Sequence, residues 1–451
     1  MAGPSNPIRY AIIGAGARSE TFLRGIVGPH RRHAALLAIG DTNQGRVDHF
    51  RTIAAQGGDA PPVAFHPDDL ERIVRDHAIG RVIVATPDAT HASLVARALR
   101  AGTDVIVEKP LTTDVEGCRT IADAVAETGH GVTATFNYRY SPRNAALREV
   151  IASGRIGEVT SIHFEWLLDT VHGADYFRRW HRYKSESGGL LVHKASHHFD
   201  LVNWWLADTP NRVYARGALR FYGAENAARR GLGERPARGS VGPSTDDPFV
   251  LDMRTVSGLD ELYLQNERYD GYMRDLDVFS PGSTIEDNLS VLVDYARGST
   301  LTYSLNAHSP WEGYTVSVNG TEGRAELSVV ERAAVTGPAV VDPSYSDIRS
   351  ATPERVEGER LVVQRHWYEA EVIPIADGDG DHGGGDDRML QDLLEPDPPA
   401  DPLGRRADMQ DGIRAVAVGI AGNMSLATGL PISLPALGLP GWGDSHAEAS
   451  S

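Results

Sequence analysis

The chain has 451 residues, beyond the roughly 250 to 300 at which a single core stops growing, so two domains are expected and a small disulfide-stapled scaffold is excluded. Apolar residues make up 41% and charged residues 23%, too rich in core formers for a disordered chain. Lys and Arg number 44 against 61 Asp and Glu, a net charge of -17, which repels phosphate backbones and anionic lipid and argues against nucleic-acid and membrane partners.

In chain order, the opening MAGPSNPIRY has no apolar core followed by a cleavage site, and no apolar run approaches the length of a membrane span. The single Cys118 has no partner for an internal disulfide and reads as a buried filler in a reducing compartment. A cytoplasmic protein is expected. From Arg9 to about Ala152, β-rich runs (9–13, 34–40, 81–86, 104–109, 131–136) alternate with helical segments such as 91–101 and 115–129, the signature of a doubly wound parallel sheet.

Past Gly157 the texture changes to longer alternating stretches at 158–168, 289–296, 299–307 and 314–328, with a turn signal at Asn319-Gly320. These predict antiparallel strands, interrupted by one helix over 190–206. Residues 223–247 and 377–401 are expected to be irregular loops, the latter carrying nine carboxylates against the lone Arg388. The domain assignment is therefore 1–140 for a dinucleotide-binding unit and 141–440 for an α+β unit that binds substrate and oligomerises, with 441–451 a flexible tail. The alternating strands at 289–328 suggest an apolar sheet face left for a second copy, hence a homodimer or homotetramer.

The segment Gly14-Ala15-Gly16-Ala17-Arg18-Ser19 lies between a strand and a helix, where a dinucleotide pyrophosphate would meet backbone N–H groups. Ser19 stands where a third glycine is usual, and a small residue suffices there for helix-to-strand packing. Asp41 ends the second strand, placed to accept hydrogen bonds from an adenosine ribose and to repel a 2′-phosphate, so NAD is expected in preference to NADP. Arg46 sits a turn into the next helix, too far along to be a sure phosphate partner. Thr86-Pro87 and Glu108-Lys109 mark the carboxyl ends of two further strands, where such sheets bind ligands.

The order GAGAR, ATPDATH (85–91), VEKPL (107–111), FNYRY (136–140) and HHFD (197–200) resembles the Gfo/Idh/MocA family of nicotinamide-dependent oxidoreductases over about residues 8–330. The resemblance implies an N-terminal Rossmann domain and a C-terminal α+β domain on an open, mostly antiparallel sheet. It also implies NAD contacts from His91 and Asn137 besides the residues above, a Lys109 touching both substrate and nicotinamide, and His197 as acid or base. The family usually has Asp four residues before that His; this chain has His193 there.

Positions 193, 197 and 200 share one face of the predicted helix, so His193, His197 and Asp200 could converge as a metal pair, as a structural polar cluster, or as groups that position and deprotonate a sugar hydroxyl. The last is favoured, with no metal expected, because a clear third ligand is missing. Lys194, His198 and Arg139 are candidate substrate contacts, and Tyr176 and Trp180 a stacking wall. His382-Gly-Gly-Gly-Asp386 resembles the pattern of family members acting on glycosides; a flexible linker is the alternative. The expected function is NAD-dependent hydride transfer at a hydroxyl-bearing carbon of a sugar, polyol or glycoside, the rivals being a glycosidase acting by transient oxidation and elimination, and a non-catalytic nicotinamide-binding regulator.

Overall fold

The run IRYAII becomes β1 (Ile8–Ile13), whose side chains are buried on both faces from Tyr10 onward, as a central parallel strand requires. Around it stand β2 (Ala34–Gly40), β3 (Val63–Phe65), β4 (Arg81–Val84), β5 (Asp104–Val107) and β6 (Val132–Ala134) in the order β6-β5-β4-β1-β2-β3, all parallel. This is the doubly wound order, with its switch point between β1 and β4. Helices α1 (Ala17–Val27), α2 (Gln44–Ala55), α3 (Leu70–His77), α4 (His91–Arg100) and α5 (Val115–Thr128) alternate with the strands. The computed structural model describes residues 6–56, 60–243, 246–256, 258–335, 355–376 and 381–442, without the side chains of 381–383.

The second sheet contains β7 (Val159–Asp169), β8 (Pro210–Ala218), β9 (Asn288–Tyr295), β10 (Thr300–Ser309), β11 (Glu312–Gly320), β12 (Gly323–Arg332), β13 (Gly358–Arg365) and β14 (Glu371–Ile373). Its order is β14-β13-β12-β11-β7-β10-β9-β8, and β7 with β10 is the parallel pair in an otherwise antiparallel sheet. The chain reverses at Thr321-Glu322, just past the predicted Asn319-Gly320, because Asn319 is still paired with Arg324 and its amide donates to the Ser161 hydroxyl. A late two-residue strand, β15 (Ala407–Asp408), returns to the first sheet beside β6, and β16 (Ile432–Ser433) ends the second beside β8.

Four expectations change. The predicted helix over 190–206 is two helices, Leu190–His193 and Ala195–Leu206, parted at Lys194. Residues 224–229 of the first expected loop form a helix. The acidic segment holds a helix, Asp381–Leu394; its Met389, Leu390, Leu393 and Leu394 pack in one core with Phe22, Leu23 and Ile26 of α1, an apolar stripe that the carboxylate count obscured. The apolar face of the second sheet is the covered one, with Phe164 against Trp205 and Tyr295 bonded to Asn203, both from helix Ala195–Leu206. The open face is mixed, with Ser290, Thr300, Thr302, Thr315, His163 and Glu165 beside an exposed Leu292 and partly exposed Tyr214, Leu167 and Val362, so it is less apolar than the alternation suggested. Residues 443–451 of the expected tail lie outside the described residues, and among those described no helix is long and apolar enough to cross a membrane.

Candidate active site

A cavity of about 1800 Å³ runs between the carboxyl ends of β1, β4 and β5 and the second domain. Its first limb is built largely from backbone. Gly14 has φ 99°, and a Cβ there would overlap the Ala85 carbonyl, so the turn admits glycine only. Gly16 caps α1, and a Cβ on it would meet only the Tyr263 hydroxyl at 3.6 Å, the same hydroxyl that accepts the Ala17 amide at the helix start, where a dinucleotide pyrophosphate would be received. Ser19 is fully buried with its hydroxyl 3.5 Å from the Ala85 carbonyl, the tight contact its position needs. Asp41 accepts from the Ala15 amide at 2.7 Å and the Asn43 amide at 2.8 Å. Arg46, expected to be remote, turns back to donate to Asp41 at 3.0 Å.

Gly14, Gly16, Ala17, Arg18, Asp41, Thr86, Pro87, His91, Glu108, Lys109 and Asn137 all line the cavity, and the donor set suits a dinucleotide. Arg18 is locked between Glu108 at 2.7 Å and Asp386 at 2.8 Å. His91 spans the carbonyls of Thr86 and Pro110 at 2.9 and 2.8 Å, tying the ends of two neighbouring strands together.

Where the limbs meet, Lys109 Nζ lies 3.3 Å from His193 Nε2, and His193 Nδ1 lies 2.5 Å from Asp88 Oδ2. Burial pulls the Lys109 amine down to about 8 against the opposing carboxylates of Asp88 and Glu108. Burial also pushes Asp88 well above the usual carboxylate range and His193 well below the usual imidazole range. The hydrogen-bond polarity then admits two proton arrangements of equal total charge. In one, the Lys109 ammonium donates to Nε2 and Nδ1–H donates to the Asp88 carboxylate; in the other, the proton has moved along the line, leaving a neutral amine and a protonated Asp88. Tyr176, Trp180 and His181 enclose the His193 ring edge-on, with His181 at 4.2 Å. Asp88 went unread in the sequence, although it sits within ATPDATH directly after Pro87 at a strand's carboxyl end.

The second limb is lined by charged and aromatic side chains. His197 stacks on Tyr138 at 4.4 Å and lines the cavity, and Lys194 donates to the Tyr138 hydroxyl at 3.1 Å. Tyr176 and Trp180 line it as well, joined by His172, Glu312, Arg143, Glu331 and Arg332, which the sequence reading missed. His172 Nδ1 is 2.6 Å from Glu312 and its Nε2 3.1 Å from the Tyr176 hydroxyl.

Three expected substrate contacts lie elsewhere, and a fourth is already engaged. Arg139 and Asp200 form a bidentate ion pair at 2.8 and 2.6 Å below the cavity, both almost fully buried, so neither is offered to a ligand. His198 points to the other side of its helix, bonded to the Tyr303 hydroxyl at 2.7 Å and stacked on Trp166. Asp386 reaches the cavity wall but is spent on Arg18 and on the Asn137 amide at 3.0 Å. Gly385 allows that approach, since a Cβ there would press on the Asn137 carbonyl at 2.8 Å. The side chain of His382 lies outside the described residues.

Comparison with known proteins agrees with this layout. Residues 8–136 match the Gfo/Idh/MocA model described as an oxidoreductase family, NAD-binding Rossmann fold, and residues 148–434 match that family's C-terminal alpha/beta domain. The chain is 36% identical over 371 residues to YteT of Bacillus subtilis (strain 168), named as an oxidoreductase, covering 79% of this chain and 81% of that one. It is 28% identical to an inositol 2-dehydrogenase of Rhizobium meliloti (strain 1021) over 47% of this chain and 59% of that protein. Among solved structures, an oxidoreductase from Agrobacterium radiobacter in complex with NAD+, L-tartaric acid and magnesium superposes with a TM-score of 0.61 at 16% identity, covering 95% of this chain and 99% of that one.

Proposed function

Because the chain belongs to the Gfo/Idh/MocA oxidoreductase family and is an NAD-dependent dehydrogenase acting on CH–OH groups, we propose that its substrate is a sugar, polyol or glycoside whose reacting hydroxyl lies at Lys109. The observation that carries this reading is the Lys109–His193–Asp88 line at the junction of the two limbs. NAD, when bound, supplies the two-electron acceptor for the carbinol hydride. The protein's own part is the proton: with the line one proton poorer than in either arrangement above, Lys109 neutral, Nε2 unprotonated and Nδ1–H donating to the Asp88 carboxylate, Lys109 accepts the hydroxyl proton, one passes on to Nε2, and Nδ1 gives one to Asp88. His193 thereby occupies the position that resemblance gave to an Asp, with the carboxylate supplied from the first domain through the ring. His197, held flat on Tyr138, borders the same space as a second acid or base, and Lys194, Tyr176 and Trp180 provide donors and apolar faces for a polyhydroxylated ring.

Redox-neutral cleavage of a glycoside is a second reading, favoured by Glu312, whose carboxyl is raised by burial and by Glu331 within the same cavity. A panel of sugars, inositols and aryl glycosides with NAD separates the two. Accumulating reduced nicotinamide supports net oxidation; released aglycone without reduced cofactor supports cleavage; neither product from any member contradicts both. A reducing, cytoplasmic setting fits the buried Cys118, whose thiol burial pushes up to about 12. The expected homodimer or homotetramer would use the open face of the second sheet, where Leu292 is half exposed, and a monomer in sedimentation analysis contradicts it.

A further inference from the structure

The adenosine end of the first limb is walled by a strap from the second domain. Leu251, Met253, Leu259, Leu262 and Tyr263 share a core with Phe22 of α1 and with Val47 and Phe50 of α2. The strap is pinned at two polar points. The Tyr263 hydroxyl accepts the Ala17 amide at 2.9 Å, and the Asn43 side chain donates to the Asn266 carbonyl at 2.9 Å.

This strap delivers Asp270 to Arg46. The guanidinium Nη2 is 2.7 Å from Asp270 Oδ2 and 3.0 Å from Asp41 Oδ1, and the guanidinium carbon lies 5.9 Å from the centre of the Tyr272 ring. Asp270 is itself fixed, accepting the Tyr272 amide at 3.1 Å. Asp41, Arg46, Asp270 and Tyr272 all line the cavity. An Arg five residues after Asp41 would by itself give a mixed message: the acid repels a 2′-phosphate while the cation attracts it. With Asp270 in place the cation is shared by two carboxylates, and the cluster carries a net charge of about -1.

We propose that Asp270 is a cofactor-specificity residue, which holds the Arg46 guanidinium so that it cannot serve a 2′-phosphate and thereby enforces selection of NAD over NADP. The inference rests on dinucleotide binding in this limb. Its consequence is that discrimination is written in the second domain, more than 220 residues from the motif it protects.

The test is calorimetric titration of NAD+ and NADP+ into the wild-type protein, Asp270→Asn, Arg46→Ala and the double variant. Asn keeps an oxygen for the Tyr272 amide, and Asp270 lies at an exposed helix end, so an unchanged Tm is expected, and each NADP+ constant is read against the same variant's NAD+ constant. Asp270→Ser serves as the second variant if Asn perturbs the Tm. The ratio of the NADP+ to the NAD+ dissociation constant should fall about tenfold in Asp270→Asn. Arg46→Ala alone should not narrow it, and the double variant should lose the gain. An unchanged ratio in both Asp270 variants, or a narrowing that survives Arg46→Ala, overturns the inference. A wild-type protein that binds neither dinucleotide overturns the cofactor assignment itself.

Discussion

The two limbs of the cavity are built by different means. The first is made largely of backbone and short side chains from neighbouring strand ends, with the strap of the second domain closing its adenosine end, and its defining contact, the Ala15 amide on Asp41, spans 26 residues. The second is made of buried charged and aromatic side chains whose partners are far apart in sequence: 140 residues between His172 and Glu312, 56 between Tyr138 and Lys194. A local turn can preset a phosphate cradle from one short motif, whereas a buried charge is tolerable only when a distant element brings its partner. The proton-handling line lies on the seam, with Asp88 and Lys109 from the first domain and His193 from the second, so neither half holds it alone.

That contrast can be broken where a buried pair is structural. Asp200→Ala leaves Arg139 buried without its bidentate partner and should cost about 3–5 kcal/mol of stability in denaturant titration, with cofactor affinity retained; an unchanged midpoint with a raised KM would instead return this pair to the substrate. At the seam, Lys109→Ala and His193→Ala should each lower turnover about a hundredfold or more while NAD binding persists, and near-normal turnover in both would remove the relay. Asp88→Asn keeps a hydrogen-bond partner for the ring but no site for the relayed proton, so a loss on the order of tenfold is expected.

In the wild type, alcohol oxidation should rise with pH as the Lys109 amine loses its proton around 8, because only the neutral form accepts a hydroxyl proton; a kcat/KM profile that falls through that range would reverse the assignment. The smallest effect belongs to His198→Phe. It removes one buried hydrogen bond, worth about 1 kcal/mol, and should leave the kinetics alone.

What could be read from the sequence follows the same division. The doubly wound order, Gly14, Gly16 and Asp41 were legible because strand, turn and helix N-terminus are adjacent in the chain and geometry leaves those positions little choice. Lys109 and His193 were legible as residues, but the link between them was not, since the helix breaks at Lys194 and the carboxylate comes from Asp88. Asp200 lay on the predicted helical face, His198 beside it and Arg139 just past a strand end, yet whether such a position meets a cavity or a buried partner is decided by tertiary packing, which gives Arg139 to Asp200 and His198 to Tyr303. The helix Asp381–Leu394 was hidden by its own charge, because two of its carboxylates, Asp386 and Asp392, are buried on Arg18 and Arg406 while four apolar residues hold it against α1.

The account stands most directly on the protonation of His193, which can be followed without a substrate by 15N NMR of the histidine-labelled protein, with His193→Asn for assignment. A neutral imidazole is predicted from about pH 6 to about pH 9, with the proton on Nδ1 toward Asp88 and Nε2 accepting from Lys109, and Asp88→Asn should alter that tautomer balance. A His193 that titrates to imidazolium near the ordinary value of about 6.5, indifferent to Asp88→Asn, would contradict the relay.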